Sequence, residues 1–198
     1  MRKNIILIFA GIFVLMPTTI IAHADEGLYD PLPPEGSAFL RFIQADDRKP
    51  VSPYVVRPSG EHKIVLAEKQ AIHDLQEGQF YSAILKDGKI TVLEDTKSEN
   101  RAKALLLFYN LTDRPGLSLK TADSGIDIIN NVARLEHGSR EINAVRIGFA
   151  LYDGDAKIAS LEEQALDRNA AYSIFALTKT EGKAPELIFI RSQTDTGG

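Results

Sequence analysis

The chain has 198 residues, which accommodates one or two domains, and its 44% hydrophobic and 25% charged residues are typical of a globular fold rather than a disordered chain. It contains no tryptophan and no cysteine, and the lack of cysteine excludes disulfide bonds, thiolate metal sites and cysteine nucleophiles. The formal net charge of −4 argues against a strong nucleic-acid binder.

The first 24 residues have the pattern of a secretory signal peptide. Two basic residues, Arg2 and Lys3, precede an apolar run over residues 5–16, and residues 22–24 form a small-x-small cleavage site. The apolar run is 12 residues long, shorter than the roughly 20 that a transmembrane helix needs. We therefore expect cleavage after Ala24. Without Arg2 and Lys3, 21 basic residues face 27 acidic ones, a net charge of −6. An exported chain without cysteine is typical of a bacterial envelope compartment, so we expect a periplasmic protein.

Residues 25–36 are rich in proline and are expected to be an extended N-terminal segment. Leu28 and Tyr29 form an apolar pair within it. This pair either docks on another protein or folds back onto the first domain, and the sequence does not separate the two alternatives.

The rest of the chain consists of short apolar runs separated by turn signals, a pattern that predicts an all-β fold. Asp87-Gly88 and Asp153-Gly154 are strong hairpin turns. Residues 161–166 fit either one helical turn or a strand with a loop. The predicted strands span residues 38–44, 51–57, 63–67, 79–85, 89–94, 103–110, 116–121, 126–130, 144–152, 170–177 and 187–191.

Two parts of the chain follow a similar plan, which indicates an internal repeat. Residues 38–48 resemble residues 104–114 at an offset of 66, and each copy is an apolar run that ends in a turn with Asp-Arg. Residues 80–85 resemble residues 171–176 at an offset of 91. The alternative interpretation is chance similarity between β-rich runs.

The repeat predicts two tandem small antiparallel β-sandwich domains joined by a short polar linker. The predicted boundaries are 37–95 for the first domain, 96–102 for the linker, 103–192 for the second domain and 193–198 for a flexible tail. A first domain of this size buries only about 60% of the surface of its unfolded chain, so we expect it to lean on its neighbour.

No catalytic motif is found in the sequence. It has no Gly-x-Ser-x-Gly elbow, no phosphate-binding loop and no dinucleotide fingerprint. It also lacks the Gly-Asp-Ser block of SGNH enzymes. The histidines that remain after processing, His62, His73 and His137, are not at metal-ligand spacings, so we predict neither a metal nor a cofactor. His73 beside Asp74 is the best candidate base, but a strand-edge or loop histidine is the better interpretation.

One polar cluster, residues 139–143, mixes both charge signs ahead of an apolar strand. It contains Arg140 and Glu141, which either bind a partner or cap the strand.

Several motifs together resemble the AlgF family of periplasmic alginate O-acetylation proteins. They are Leu28-Tyr29-Asp30-Pro31, Gly36-Ser37-Ala38-Phe39-Leu40-Arg41, Lys103-Ala104-Leu105, residues 117–123, Arg140-Glu141-Ile142-Asn143 and Ala150-Leu151-Tyr152-Asp153-Gly154, ending near Arg168 and Ala171-Tyr172. Each motif alone is weak, but their order and spacing are specific, and they cover nearly all of the mature chain.

The resemblance implies an exported accessory protein required for O-acetylation of the exopolysaccharide alginate. It implies as partners a membrane-bound O-acyltransferase and periplasmic SGNH-type acetyltransferases of the same pathway, without family catalytic residues. A net charge of −6 does not steer the chain toward a polyanion, so we expect a non-catalytic protein-to-protein adaptor. The candidate partner-binding residues are Leu28, Tyr29, Arg41, Arg140, Glu141, Tyr152 and Arg168.

Three alternatives stay open. In the first, the chain is a carbohydrate-binding module for the polymer, although the absence of tryptophan weakens a sugar-stacking platform. In the second, it is the equivalent accessory protein for another acetylated exopolysaccharide such as cellulose. In the third, it transfers acetyl groups itself through Ser37 or Ser82, neither of which has a recognisable partner base in the sequence.

Overall fold

The computed structural model describes residues 32–45, 51–178 and 184–195. Every helix or strand that it describes is a β-strand, which confirms the all-β class, and none of the described residues forms a long apolar helix of the kind that crosses a membrane. The predicted signal peptide, the candidates Leu28 and Tyr29, and the Asp-Arg turn of the first repeat copy lie outside the described residues.

Fifteen strands are found in the described residues. They are β1 (Ser37–Gln44), β2 (Tyr54–Pro58), β3 (Gly60–Leu66), β4 (Lys69–Leu75), β5 (Phe80–Lys86), β6 (Lys89–Asp95), β7 (Lys103–Leu111), β8 (Gly116–Thr121), β9 (Asp127–Ala133), β10 (His137–Asn143), β11 (Arg146–Asp153), β12 (Ala156–Ala165), β13 (Ala171–Leu177), β14 (Glu186–Arg191) and β15 (Thr194–Asp195). Each predicted strand corresponds to one of these, with bounds that differ by a few residues. The ambiguous run over residues 161–166 is the end of strand β12 and not a helical turn.

The strands form three larger sheets and one hairpin. The first sheet has the order β15-β2-β1-β5-β6, the second β10-β7-β13-β14 and the third β12-β11-β8-β9, while β3 and β4 pair with each other. Strands β1 and β5 run parallel, as do β7 and β13. The first two sheets are therefore mixed, so the prediction of antiparallel sandwiches is wrong at their centres. In each repeat copy the two central strands are joined by a long crossover connection, which makes them parallel.

Three apolar cores separate these layers. The β3–β4 hairpin covers one face of the first sheet through residues such as Ile64, Leu66 and Leu75. The opposite face of the first sheet packs on the second sheet, and the other face of the second sheet packs on the third. The central strands are buried on both faces, which explains why β7 is an uninterrupted apolar run in the sequence.

The repeat seen in the sequence is present in the backbone pairing. Phe39 of β1 pairs with Phe80 of β5, and Leu105 of β7 pairs with Ala171 of β13. These partners are related by the same offsets, 66 and 91, that the sequence comparison gave. Each copy then places an antiparallel hairpin partner, β6 or β14, on the outer side of the parallel pair.

A buried tyrosine occupies the same place in both copies. The hydroxyl of Tyr81 accepts the backbone N–H of Gln76 at 3.0 Å, and that of Tyr172 accepts the backbone N–H of Asp167 at 2.9 Å. In each case the donor lies five residues upstream, so the tyrosine holds the segment that leads into the central strand. This resembles the tyrosine corner of other β-sandwiches.

The two halves of the chain share one core. The second core contains Ile43 and Ile84 from the first half and Leu107, Tyr109 and Phe175 from the second. The domain boundaries at 37–95 and 103–192 stay a prediction.

Two residues of the predicted C-terminal tail, Thr194 and Asp195, form a short strand, and the flexibility of the tail stays a prediction. Strand β15 pairs with β2 in parallel, and the N–H of Tyr54 donates to the carbonyl of Gln193 at 2.9 Å. The exposed edge of β2 offers backbone groups that need partners, and Thr194 and Asp195 supply them.

Replacing either buried tyrosine with phenylalanine removes one hydrogen bond and leaves a backbone N–H without its acceptor. We expect Tyr81→Phe and Tyr172→Phe each to lower the free energy of unfolding by about 0.5–1.5 kcal/mol, measured by urea denaturation. Tyr152→Phe is the matched control, because Tyr152 lies partly exposed beside Lys120 and no backbone N–H of the described residues donates to its hydroxyl. Equal stability of all three variants would contradict the repeated role.

Candidate functional site

Arg41 lies at the centre of the interface between the first and second sheets. Its side chain is 1% exposed, and it extends from the middle of β1 toward the second sheet. The guanidinium Nε donates to Ser82 Oγ at 2.8 Å, Nη1 to Ser173 Oγ at 3.0 Å and Nη2 to the Tyr109 hydroxyl at 2.5 Å. One charged side chain therefore joins β1 and β5 of the first sheet to β7 and β13 of the second.

Asp95, the last residue of β6, is the counter-charge of Arg41. Its carboxylate lies 3.6 Å from Arg41 Nη2 and accepts the hydroxyls of Tyr54, Ser82 and Tyr109, each at 2.6 Å. No buried side-chain nitrogen or oxygen among the described residues lacks a hydrogen-bond partner. The Arg41 cluster, comprising Arg41, Tyr54, Ser82, Asp95, Tyr109 and Ser173, is thus fully satisfied.

Burial sets the protonation states in the Arg41 cluster. Desolvation raises the pKa of Tyr54 and of Tyr109 well above the ordinary value, so both stay neutral and donate to Asp95. Burial also opposes the charge of Arg41, but the carboxylate of Asp95 and the hydrogen bond to the Tyr109 hydroxyl favour it, and the pKa of Arg41 lies above its ordinary value. The guanidinium lies 4.5 Å from the ring centroid of Tyr54 and 5.1 Å from that of Tyr109, which adds cation–π attraction.

The two serines that the sequence raised as nucleophile candidates lie inside the protein. Ser82 is 0% exposed, and its hydroxyl is bonded to Arg41 and Asp95. Ser37 is also buried, and its hydroxyl donates to the carbonyl of Pro34 at 2.6 Å. Neither serine contacts a histidine in these hydrogen bonds, so neither forms the nucleophile–base pair of an acyl-transfer enzyme.

The described histidines have separate packing roles. His62 and His73 face each other across the β3–β4 hairpin, a juxtaposition that the sequence analysis missed. His62 Nε2 lies 2.8 Å from the carbonyl of Pro58, while the ring of His73 packs edge-on against Tyr81. His137 stacks on Tyr109, and desolvation lowers the pKa of His137. Within the described ranges, no cluster of three or more acidic or histidine side chains is placed to hold a metal ion.

The remaining candidate partner residues lie on different elements. Glu141, on β10, accepts the backbone N–H groups of Glu99 and Asn100, each at 2.8 Å, so it holds the connection between the two halves. Arg140 donates to the carbonyls of Asp127 and Ile128, which ties β10 to β9. Both residues therefore make contacts within the fold, but none of these contacts is to strand β11, so the choice between partner binding and capping stays open.

Two further candidates, Tyr152 and Arg168, lie at the surface, whereas the prediction of Arg41 as a partner contact is wrong. Tyr152 is partly exposed on β11, where its ring lies under the ammonium of Lys120, and Arg168 is exposed in the loop before β13. Arg41 is not available to a partner, because it is enclosed between two sheets. The sequence signal for this was the position of a charged residue inside the apolar run of β1, a strand whose two faces are both covered.

A recess opens beside the Arg41 cluster at the end of the same sheet–sheet interface. This interface pocket encloses about 430 Å³ and is lined by Tyr54 and Phe80 of the first sheet, Leu105 and Ala171 of the second, Lys97 of the connection and Arg191 at the end of β14. A second recess of about 330 Å³ lies near β9, β10 and β11 and includes Ile126, Val145 and Arg140. Sequence analysis identified neither, because each is formed by elements distant along the chain.

Comparison with known proteins points to one family. The sequence model described as "Alginate O-acetyl transferase AlgF" matches residues 13–173. The chain is 31% identical over 180 residues to the alginate biosynthesis protein AlgF of Pseudomonas aeruginosa, covering 82% of each, and 29% identical over 194 residues to that of Azotobacter vinelandii, covering 88% and 89%. It is also similar to the C-terminal domain of AlgF from P. aeruginosa, at 33% identity and a TM-score of 0.41 over 46% of this chain and 98% of that domain.

Removing the charge of Arg41 leaves Asp95 buried without its counter-ion. We expect Arg41→Met to lower the free energy of unfolding by about 3–5 kcal/mol, measured by urea denaturation. The double variant Arg41→Met/Asp95→Asn should lose less than the sum of the single losses, because it leaves no unpaired charge. Arg57→Met, at an exposed position on β2, is the control and should change stability little. A small loss in Arg41→Met would show that the cluster does not hold the sheets together.

The contact between Glu141 and the connection depends on ionisation. The N–H groups of Asn100 and Glu99 hold the pKa of Glu141 below its ordinary value of 4.5. The contact therefore stabilises the fold above pH 4.5 and is lost as the pH falls through the lowered pKa. We expect Glu141→Gln to speed hydrogen exchange at the Glu99 and Asn100 amides at neutral pH. Glu162→Gln, on the exposed edge strand β12, should leave those rates unchanged.

Proposed function

The chain belongs to the AlgF family, and from that premise we propose that it is a non-catalytic periplasmic adaptor for O-acetylation of the exopolysaccharide alginate. The adaptor links the acetyl-transfer machinery by binding its protein components. The family description names alginate O-acetyl transferase, and the relatives are named alginate biosynthesis proteins. The predicted signal peptide and the absence of cysteine support a periplasmic location.

One observation carries the choice of an adaptor over an enzyme. The serine that lies directly against a carboxylate in the buried core, Ser82, is 0% exposed and uses its hydroxyl to complete the Arg41–Asp95 ion pair. A nucleophile has to reach an acyl donor and needs a general base, whereas Ser82 is sealed between two sheets. The Ser82 hydroxyl therefore serves the structure, because both of its hydrogen bonds are made within the buried core.

The surface supports a protein-binding role. Ile126 is 63% exposed and Val145 is 50% exposed, and both border the second recess, whose interior includes Ile128 and Ile147. Arg140 lies in the same lining. Apolar side chains at a recess with charged residues beside them are typical of a protein–protein contact, because they anchor a partner and orient it.

The adaptor is tested by co-purification. The purified chain is mixed with the periplasmic SGNH-type acetyltransferases and with the membrane-bound O-acyltransferase of the same pathway, and complexes are isolated through a tag on this chain. We expect at least one of these proteins to be retained. Failure to retain any of them under conditions in which the chain is folded would overturn the adaptor.

Two matched variants localise the contact. We expect Ile126→Glu to weaken association about tenfold, since burying the new charge disrupts an apolar anchor. Ile72→Glu introduces the same change at a side chain that is 71% exposed on the β3–β4 hairpin. It should bind like the unmodified chain.

Mass spectrometry after incubation with an activated acetyl ester should detect no acetyl-enzyme on Ser37 or Ser82.

A further inference from the structure

The interface pocket lies where the central strands of both sheets begin. Phe80 opens β5, Ala171 opens β13 and Leu105 lies near the start of β7, and all three line the pocket. The connection between the two halves passes along it through Thr96, Lys97 and Ser98. At about 430 Å³, the pocket falls in the range of small-ligand sites.

The apolar side of the pocket consists of packed aromatic rings and aliphatic side chains. Phe80 stacks on Phe39 with ring centroids 4.3 Å apart, and Tyr54 meets Phe80 edge-on at 5.0 Å. Because the Tyr54 hydroxyl is bonded to Asp95, Tyr54 offers its ring rather than its hydroxyl. Together with Leu105 and Ala171, these rings form a wall that suits a small apolar group such as the methyl of an acetyl ester.

The other side of the pocket is rich in hydroxyl groups. Thr96, Ser98, Ser192 and Thr194 all line it, together with the amide side chain of Asn169. The Thr96 hydroxyl accepts a hydrogen bond from Ser139 at 2.9 Å, so its own proton is left to donate to a ligand. A rim of hydroxyl and amide groups matches the alternating donors and acceptors of a sugar ring.

Two cations complete the lining. Lys97 is exposed on the connection and forms no ion pair with any other described residue, and Arg191 lies at the end of β14, bonded to Asp167 at 2.9 Å. A chain with a formal net charge of −4 places two positive side chains at one recess. Asp167 compensates part of the charge of Arg191, so Lys97 supplies the uncompensated positive charge that favours an anionic ligand against the field of the whole protein.

We propose that the interface pocket binds a single O-acetylated uronate unit of the polysaccharide. The acetyl methyl packs on Phe80, Leu105 and Ala171, the ring hydroxyls bond to the hydroxyl-rich side, and the carboxylate lies between Lys97 and Arg191. The identity of the polymer rests on the proposed function, whereas the chemical class of the ligand follows from the lining. A peptide matches the lining less well, because strand addition needs a free backbone edge and here β15 already occupies the edge of β2 at Tyr54.

The test is a titration of the full chain, followed by amide chemical shifts and by calorimetry. The probes are O-acetylated alginate oligomers, the same oligomers after removal of the acetyl groups, and acetylated cello-oligomers, which lack the carboxylate. We expect the acetylated uronate oligomers to bind most tightly, with shift changes at Thr96–Ser98, Ala171 and Arg191. Equal affinity for all three probes, or shifts confined to another surface, would overturn the proposal.

A charge reversal at the mouth of the pocket provides a matched comparison. We expect Lys97→Glu to weaken binding of the acetylated oligomer about fivefold, the size of one exposed ion pair. Lys89→Glu makes the same change at the far end of β6 and should not alter the affinity. Because Lys97 is exposed and forms no ion pair with the other described residues, thermal unfolding should be unchanged, and an unaltered affinity in Lys97→Glu would refute the assignment.

The two proposals fail in different ways. If the acetyltransferases are retained but no oligomer binds, the pocket assignment is wrong and the adaptor stands. If the acetylated oligomer binds in the pocket but no acetyltransferase is retained, the adaptor is wrong and the chain is a polymer-binding protein. Binding of a partner-derived acidic peptide in the pocket, in place of the oligomer, would likewise refute the sugar site.

Discussion

The ion pair of Arg41 with Asp95 is the constraint on which the arrangement of the two halves depends. Enclosing two charges between sheets is expensive unless each polar atom finds a partner, and here Ser82 and Tyr54 come from the first half, whereas Tyr109 and Ser173 come from the second. All of these hydrogen bonds form only when the two sheets pack in one relative position. A purely apolar interface would tolerate sliding, but directional bonds to a planar guanidinium do not.

This fixed arrangement creates the surfaces proposed for binding. Tyr54 bonds to Asp95 with its hydroxyl and lines the interface pocket with its ring, so the ion pair and the pocket share a wall. Glu141 holds the connection that carries Lys97 past the same recess. Ion pairs of Lys86 with Asp113 and of Arg134 with Asp87 join the halves at the opposite end of the interface. The pocket is therefore a product of docking between the repeats, and neither repeat contains it alone.

The central strands could be predicted from the sequence, because an almost uninterrupted apolar run indicates a strand that is buried on both faces. The central strands β1, β5, β7 and β13 are apolar because both faces are covered, and the pairing of Phe39 with Phe80 and of Leu105 with Ala171 follows the offsets of the repeat. Sequence reasoning missed β4, β10, β15 and the first part of β12, which contain many polar residues and are partly exposed. It also placed Arg41 among partner contacts, because arginine is enriched in protein–protein interfaces.

The sequence by itself determined the all-β class, the repeat, the absence of cysteine chemistry and the family resemblance, because each is encoded locally in residue type, alternation and spacing. Only the tertiary structure decided that Arg41 and Ser82 are internal, that Asp95 is their partner 13 residues beyond Ser82, and that a recess forms between the halves. These features depend on which faces of separate sheets meet. Local patterns state that a face is apolar, but not which other face covers it.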